Sequence, residues 1–241
     1  TFAALMNARA KELGCENTNF VTPNGLHDKE HYTSAYDLGL IACEAMRNEV
    51  FRSIVSTSYY KTGTGDTTRT LKNKNRVLWE YEGGNGVKTG FTKVSGRCLV
   101  FSAERDGVML VGVVLNCPDM WANAYEMLDA GFEMTERKTM VSAELPIGTV
   151  AVQKSLQKSL AVYPERDILV TVKSDGSETI EWEVSMPPSL PLPVSAGDKV
   201  GTLKLYIDGK LQGETPLIVT ESAVPLTIIG WLKMVIESFA A

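Results

Sequence analysis

Lys88, Thr89 and Gly90 form the triplet in this sequence best suited to chemistry, with Gly86 before it and Gly96 after it. An ammonium and a hydroxyl on neighbouring residues can hold a carboxylate, one by charge and the other by a directed hydrogen bond. Glycine weakens a strand and is kept where a ligand or another backbone comes close, so Gly90 fits an anion approaching a strand edge. A second copy, Lys61-Thr62-Gly63, runs into Gly65 and Asp66 between two β-patterned segments. There the glycines read as hairpin-turn chemistry, and the triplet carries no site.

Other residues that could do chemistry are poorly placed. Ser58-Tyr59-Tyr60-Lys61 and Ser155-Leu156-Gln157-Lys158 match Ser-x-x-Lys, but each lies in strand-patterned sequence. A helix sets residues i and i+3 on one face, whereas a strand sends them to opposite faces, so neither serine meets its lysine as a nucleophile and base. Ser-x-Asn occurs nowhere. His27 and His31 have a spacing that chelates a metal on a helix, yet Gly25 and Asp28 indicate a loop, so no metal is expected. No carboxylate is arranged with them for a triad. Cys15, Cys43, Cys98 and Cys117 show no C-x-x-C spacing and read as buried free thiols.

The elements that must position the triplet follow from periodicity. Phe2, Leu5, Met6 and Leu13 predict a surface helix with one buried face, stopped by Gly14. After a loop, Ser34 or Thr33 caps a second helix that carries Leu38, Ile41, Ala42, Ala45 and Met46 and ends near Asn48. From residue 54 the pattern turns to β, as a hairpin across residues 62–66. Three antiparallel strands follow: VKTGFT, GRCLVFSAER and VMLVGVVLN, the last two joined across Asp106-Gly107. The third strand is apolar on both faces and needs cover on each, which MWANAYEMLDAGFEM supplies as a helix. Residues 1–138 thus read as helices on an antiparallel sheet, and 139–222 as a small all-β domain with regularly spaced turns. Residues 223–241 read as an amphipathic helix of about 15 apolar-faced residues, too short to span a bilayer. That helix either lies on a membrane surface, with Trp231 at headgroup level, or packs on the β domain.

Composition narrows the function. The chain has 241 residues, 44% of them hydrophobic, and a net charge of −5, enough to bury a sizeable core. No basic stripe is available to neutralise phosphates, so nucleic-acid binding is not expected. The opening TFAALMNARAKELG has no initiator Met, basic leader or apolar leader segment and reads as a chain already under way.

Lys-Thr-Gly occurs with Ser-x-x-Lys and a Ser-Asp-Asn element in β-lactamases and penicillin-binding proteins. The longer phrases MNARAKELG, TNFVTPNGLHDKEHYTSAYDL, NRVLWEYEGGNGVKTGFT and SGRCLVFSAERDG resemble the serine D-alanyl-D-alanine carboxypeptidases, the low-molecular-mass penicillin-binding proteins of bacterial cell walls. The likeness is strong over residues 5–135 and weaker beyond. It implies a partial β-lactamase/DD-peptidase-like α+β fold, no cofactor, and export to the outer face of the cytoplasmic membrane or the cell wall. The implied partners are peptidoglycan stem peptides, β-lactams, the missing N-terminal half of the catalytic domain and a membrane surface.

The resemblance also assigns roles. Lys88 supports acyl-transfer electrostatics, Thr89 binds the terminal carboxylate of D-Ala-D-Ala, Gly90 completes the strand, and Phe91 N–H supplies half of an oxyanion hole. Lys74 falls where relatives carry a basic residue near that carboxylate. The family's Ser-x-x-Lys helix and Ser-x-Asn element precede a helix like residues 1–13, so both are expected upstream of Thr1, and the chain alone is expected to be inactive. The rival readings are a peptidoglycan binder that kept the strand without the nucleophile, and a β-lactamase-related hydrolase, which the β domain disfavours.

Overall fold

In the computed structural model, which describes residues 2–230 and 232, the chain divides into a unit of helices on an antiparallel sheet, Thr1–Thr135, and a strand-built unit, Glu136–Ala241. The class is α+β.

The first unit opens with α1 (Phe2–Glu12) and a long loop leading to α2 (Ala35–Arg47). Ser34 caps α2, its hydroxyl accepting from the Asp37 N–H at 3.1 Å. Asp37 is buried and ties the loop to the helix, its carboxylate accepting from Asn17 N–H at 2.7 Å and Thr18 Oγ at 2.6 Å. The Thr18 hydrogen bond leads in holding this carboxylate below its ordinary pKa. Asn7 of α1 grips the same loop, donating to Phe20 C=O at 2.9 Å and accepting from Phe20 N–H at 2.6 Å.

Two expectations need correction here. The α1 face is not covered by the described residues: Ala10 is its buried residue, while Phe2 and Leu5 remain 64% and 67% exposed. The chain also stays helical past residue 54, in α3 (Glu49–Val55). Asn48 closes α2 and at once caps α3, its Oδ1 accepting from Phe51 N–H at 3.0 Å. A cap outweighs the β preference of Ile54 and Val55.

The hairpin follows as β1 (Tyr59–Thr62) and β2 (Arg69–Lys72), then the short α4 (Val77–Glu80). The main sheet is β3 (Gly84–Thr92), β4 (Gly96–Arg105) and β5 (Val108–Val114), in that order and antiparallel. Asp106 and Gly107 both take positive φ in the β4–β5 turn, as Asp-Gly hairpins require. On one face, Leu99, Phe101 and Ala103 alternate along β4 and bury against Val77 and against Met120, Ala124 and Leu128 of α5 (Met120–Glu133). Gly112 of β5 faces Phe101 across the β4–β5 pair, where an added Cβ would meet the ring at 2.2 Å. On the other face α2 packs against β5 and α3 against β3. Both faces of β5 are thus covered, by α5 and α2.

After α5 come β6 (Thr135–Val141), whose first residue closes the first unit, and then, within the second unit, β7 (Gly148–Val152), β8 (Ser159–Pro164), β9 (Ile168–Lys173), β10 (Ile180–Ser185), β11 (Ser189–Leu190), β12 (Lys199–Ile207) and β13 (Lys210–Val219). Six strands form a sheet in the order β10-β12-β13-β8-β7-β11, and β6 pairs with β9. Alternating residues such as Val150, Leu160, Val170, Leu205 and Leu217 close one core. Most of the apolar face of the amphipathic tail, residues 231 and 233–241, lies outside the described residues. No helix among the described residues is long and apolar enough to cross a membrane.

Candidate functional site

The two Lys-Thr-Gly triplets fall in different settings. Lys61 and Thr62 end β1, and Gly63, at φ +96°, starts the hairpin turn, where an added Cβ would lie 2.5 Å from the Thr67 carbonyl. Turn geometry accounts for that glycine. Lys88, Thr89 and Gly90 sit in the middle of β3, at the edge of the main sheet. A Cβ on Gly90 would meet only Cys98 Cβ at 3.7 Å and Cys98 O at 4.0 Å, ordinary contact distances. Nothing among the described residues requires Gly90 to be glycine.

The direction of the β3 backbone follows from its register. Arg97 faces Phe91 across the β3–β4 pair, and the Arg97 carbonyl accepts from Cys117 N–H at 2.8 Å, on the β5 side. Opposed residues of an antiparallel pair point their backbone groups together inward or together outward. The N–H and C=O of Phe91 therefore face the open edge, and those of Thr89, two residues earlier, do the same. Lys88 Nζ accordingly reaches the Thr89 carbonyl at 2.6 Å.

Side chains alternate along the strand. Lys88 and Gly90 share a face with Val100 and Cys98, while Thr89 and Phe91 share the other with Leu99 and Arg97. The sequence placed the ammonium and hydroxyl side by side; the structure sets them on opposite faces and brings the ammonium back to the edge through the Thr89 carbonyl. The edge thus gathers a cation, a half-buried hydroxyl, an outward amide and a bare glycine. Such an edge can pair with an extended peptide and hold a developing oxyanion.

Lys74 lies exposed in the loop between β2 and α4, with no hydrogen bond or ion pair to another described residue. No hydrogen bond joins it to the triplet. It borders a cleft of about 360 Å³ with Lys72, Trp79 and Glu80. Arg76 donates to Glu80 at 2.7 and 2.6 Å, and this bond leads in holding the Glu80 carboxylate below its ordinary pKa. Glu80 is therefore already paired with Arg76 and also feels the charge of Lys72, leaving Lys74 as the cation of the cleft with no hydrogen bond, ion pair or ring contact among the described residues.

Three neighbours escaped the sequence reading. Lys72 Nζ sits 4.4 Å from the Trp79 ring centre, and Tyr59 meets Trp79 edge to face at 4.9 Å. Asn73 Nδ2 donates to Thr57 C=O at 3.2 Å, tying the Lys74 loop to the residues just after α3, whose Val55 packs over Gly86. Asn75 is buried, and its Nδ2 has no partner among the described residues. The clustering of Lys72 to Arg76 was the available signal; which side chains turned inward was not.

The other candidates separate cleanly. Ser155 Oγ donates to Val224 C=O at 2.9 Å and accepts from Gln157 N–H, while Lys158 is exposed. Neither Ser58 nor Ser155 bonds its lysine. A serine–lysine hydrogen bond does occur on an exposed turn, Lys173 Nζ to Ser177 Oγ at 3.4 Å, with no enclosing site. His31 Nδ1 accepts from Val21 and Thr22 N–H at 3.1 and 3.3 Å and its ring packs on Phe20, so it organises its loop. The four thiols are free, but none is fully buried and Cys43 is exposed, because it occupies the outer side of α2.

Comparison with known proteins bears on the whole chain. A family model described as D-alanyl-D-alanine carboxypeptidase matches residues 1–119, and one described as penicillin-binding protein 5, C-terminal domain, matches residues 136–224. The D-alanyl-D-alanine carboxypeptidase DacF of Bacillus subtilis is 32% identical over 238 residues, covering 96% of this chain and 61% of that protein. The D-alanyl-D-alanine carboxypeptidase of Streptomyces sp. strain K15 is 36% identical over 143 residues, or 56% of this chain and 49% of that one. This chain therefore spans between about half and three-fifths of the length of these relatives. The crystal structure of penicillin binding protein 5 from Haemophilus influenzae superposes with a TM-score of 0.56 at 26% identity, over 92% of this chain and 65% of that one. Two family matches in tandem, together with relatives and a solved structure that span both units, assign residues 1–119 to the D-alanyl-D-alanine carboxypeptidase family and make residues 136–224 similar to the C-terminal domain of penicillin-binding protein 5.

Proposed function

We propose that the protein carrying this chain is an exported serine D-alanyl-D-alanine carboxypeptidase, acting at the outer face of the bacterial cytoplasmic membrane or at the cell wall. It removes the terminal D-Ala from peptidoglycan stem pentapeptides, and β-lactams acylate the same serine. The observation that carries this reading is the edge of β3, where Thr89 is followed by a glycine free of internal need and an outward Phe91 N–H.

In this reading the substrate lies along β3 as an added strand, and Gly90 leaves room for its close approach. Thr89 Oγ donates to the terminal carboxylate, with Lys74 as a second cation. A serine Oγ attacks the carbonyl of the penultimate D-Ala, and the oxygen of the tetrahedral intermediate takes the Phe91 N–H and the nucleophile's own N–H. The C–N bond then breaks, D-Ala leaves with the proton taken from the serine, and water hydrolyses the ester. Lys88 stabilises the charge that develops along this path. Acyl transfer of this kind calls for no metal or organic cofactor. The serine comes from residues outside this sequence, since no described serine is paired with a lysine in an enclosed site.

The test compares the complete gene product with the 241-residue chain. With penicillin, the complete protein gains one covalent adduct and releases D-Ala from D-Ala-D-Ala peptides, while the short chain gains none. A complete protein that binds stem peptides without adduct or D-Ala release would instead be a non-catalytic binder. An adduct on Ser58 or Ser155 would overturn the assignment of the nucleophile.

A further inference from the structure

The end strand of the six-stranded sheet, β10, has an unusual surface. Every one of its residues is exposed, including Ile180, Trp182 and Val184 at 36%, 45% and 47%. These three lie on the core side of the sheet, because their partners on β12 are the buried Ile207, Leu205 and Leu203. The core face therefore continues past its own cover to the open edge. Beside it lies a cleft of about 380 Å³, lined by Met140, Leu145, Trp182, Val184 and Leu203 among others.

Edge strands are usually blunted by proline, lysine, a bulge or a covering element. The segment Ile-Glu-Trp-Glu-Val-Ser of β10 has neither proline nor lysine, and its pairing with β12 runs without a register shift. Its other face carries Glu181 and Glu183. Glu183 accepts from Tyr206 Oη at 2.8 Å, and neither glutamate forms an ion pair among the described residues.

The charges choose the occupant. A second copy pairing antiparallel through β10, with apolar faces matched, would set Glu181 against Glu183, and a parallel pairing would set each glutamate against itself. Like charges directly opposed across a strand pair are destabilising. A strand with basic residues at those positions and apolar ones between them would satisfy both faces. We propose that β10 is a docking edge for an extended segment of another protein in which apolar and basic residues alternate, added as a further strand to this sheet. Its apolar side chains enter the cleft beside Trp182, its cations meet Glu181 and Glu183, and its backbone pairs with the open edge of β10.

The probe is acetyl-Lys-Val-Lys-Ile-Lys-Val-Lys-amide, with a twin in which glutamate replaces lysine, titrated into the full chain and followed by amide hydrogen exchange. The basic peptide is expected to bind and to slow exchange at alternate amides of β10. Glu181→Lys, opposite Tyr206, is combined with Glu183→Gln, which places no lysine opposite Lys204 of β12; the pair should weaken the basic peptide about tenfold and confer binding of the acidic twin. Trp182→Ala should weaken both combinations. The proposal is overturned if basic and acidic peptides bind wild type alike, if neither binds at millimolar concentration, or if the chain instead dimerises through β10.

Discussion

Lys61-Thr62-Gly63 and Lys88-Thr89-Gly90 are identical in composition and opposite in what surrounds them. In the first, Gly63 is fixed by its positive φ and by the Thr67 carbonyl, so the fold itself explains the residue. In the second, the strand would accept a side chain at Gly90, and the Thr89 and Phe91 backbone groups face outward. A residue that the fold explains says little about function, whereas one that the fold leaves unexplained points to something that must approach it.

Substitutions in pairs sharpen this contrast in the complete gene product. Lys88→Ala should slow acylation by penicillin by on the order of 10²–10³-fold, the scale for removing an electrostatic contribution to acyl transfer, while Lys61→Ala leaves the rate within about twofold. Gly90→Val should leave the melting temperature nearly unchanged, since a β-branched residue suits a strand, yet lower acylation and D-Ala release by about tenfold or more. Its counterpart Gly63→Val should show the reverse, unaltered kinetics with a hairpin weakened by about 1 kcal/mol or more, measured by exchange of the β1 and β2 amides. Thr89→Val removes one hydrogen bond to a carboxylate, worth about 1.5–3 kcal/mol, and should cost about 10–100-fold in kcat/KM on peptides ending in a free carboxylate. On the corresponding terminal amides the same variant should lose little. Lys74→Ala should raise KM a few-fold and leave kcat unchanged, because an exposed cation contributes about 1 kcal/mol or less. Equal losses from both members of any pair would erase the distinction.

Much of this was legible in the sequence because it depends on local chemistry. Asp106-Gly107, the alternation of Leu99, Phe101 and Ala103, and the Ser34 cap each specify their own conformation. The turn glycines identified the Lys61 triplet as a hairpin without reference to the rest of the fold. What stayed hidden depends on direction or on cover. The helical continuation through Glu49–Val55 hung on one residue, Asn48, whose backbone N–H closes α2 and whose side chain caps α3. The exposure of Phe2 and Leu5 depends on what packs against α1, and periodicity shows only that a face is apolar. That Lys88 and Thr89 leave opposite faces follows from strand alternation, but that the Lys88 ammonium returns to the Thr89 carbonyl at the strand edge depends on side-chain reach, which residue types do not encode. Asn75, with its unpartnered buried donor, looked like any loop asparagine.

The most direct test of the β3 edge as a substrate wall is a crystal structure of the complete gene product acylated by a β-lactam. The account predicts the ligand carboxylate within about 2.6–3.0 Å of Thr89 Oγ and the acyl oxygen within about 3 Å of Phe91 N, with the ligand amide paired to the β3 backbone. An acyl group held away from β3, with Thr89 and Phe91 making no contact to it, would contradict the account.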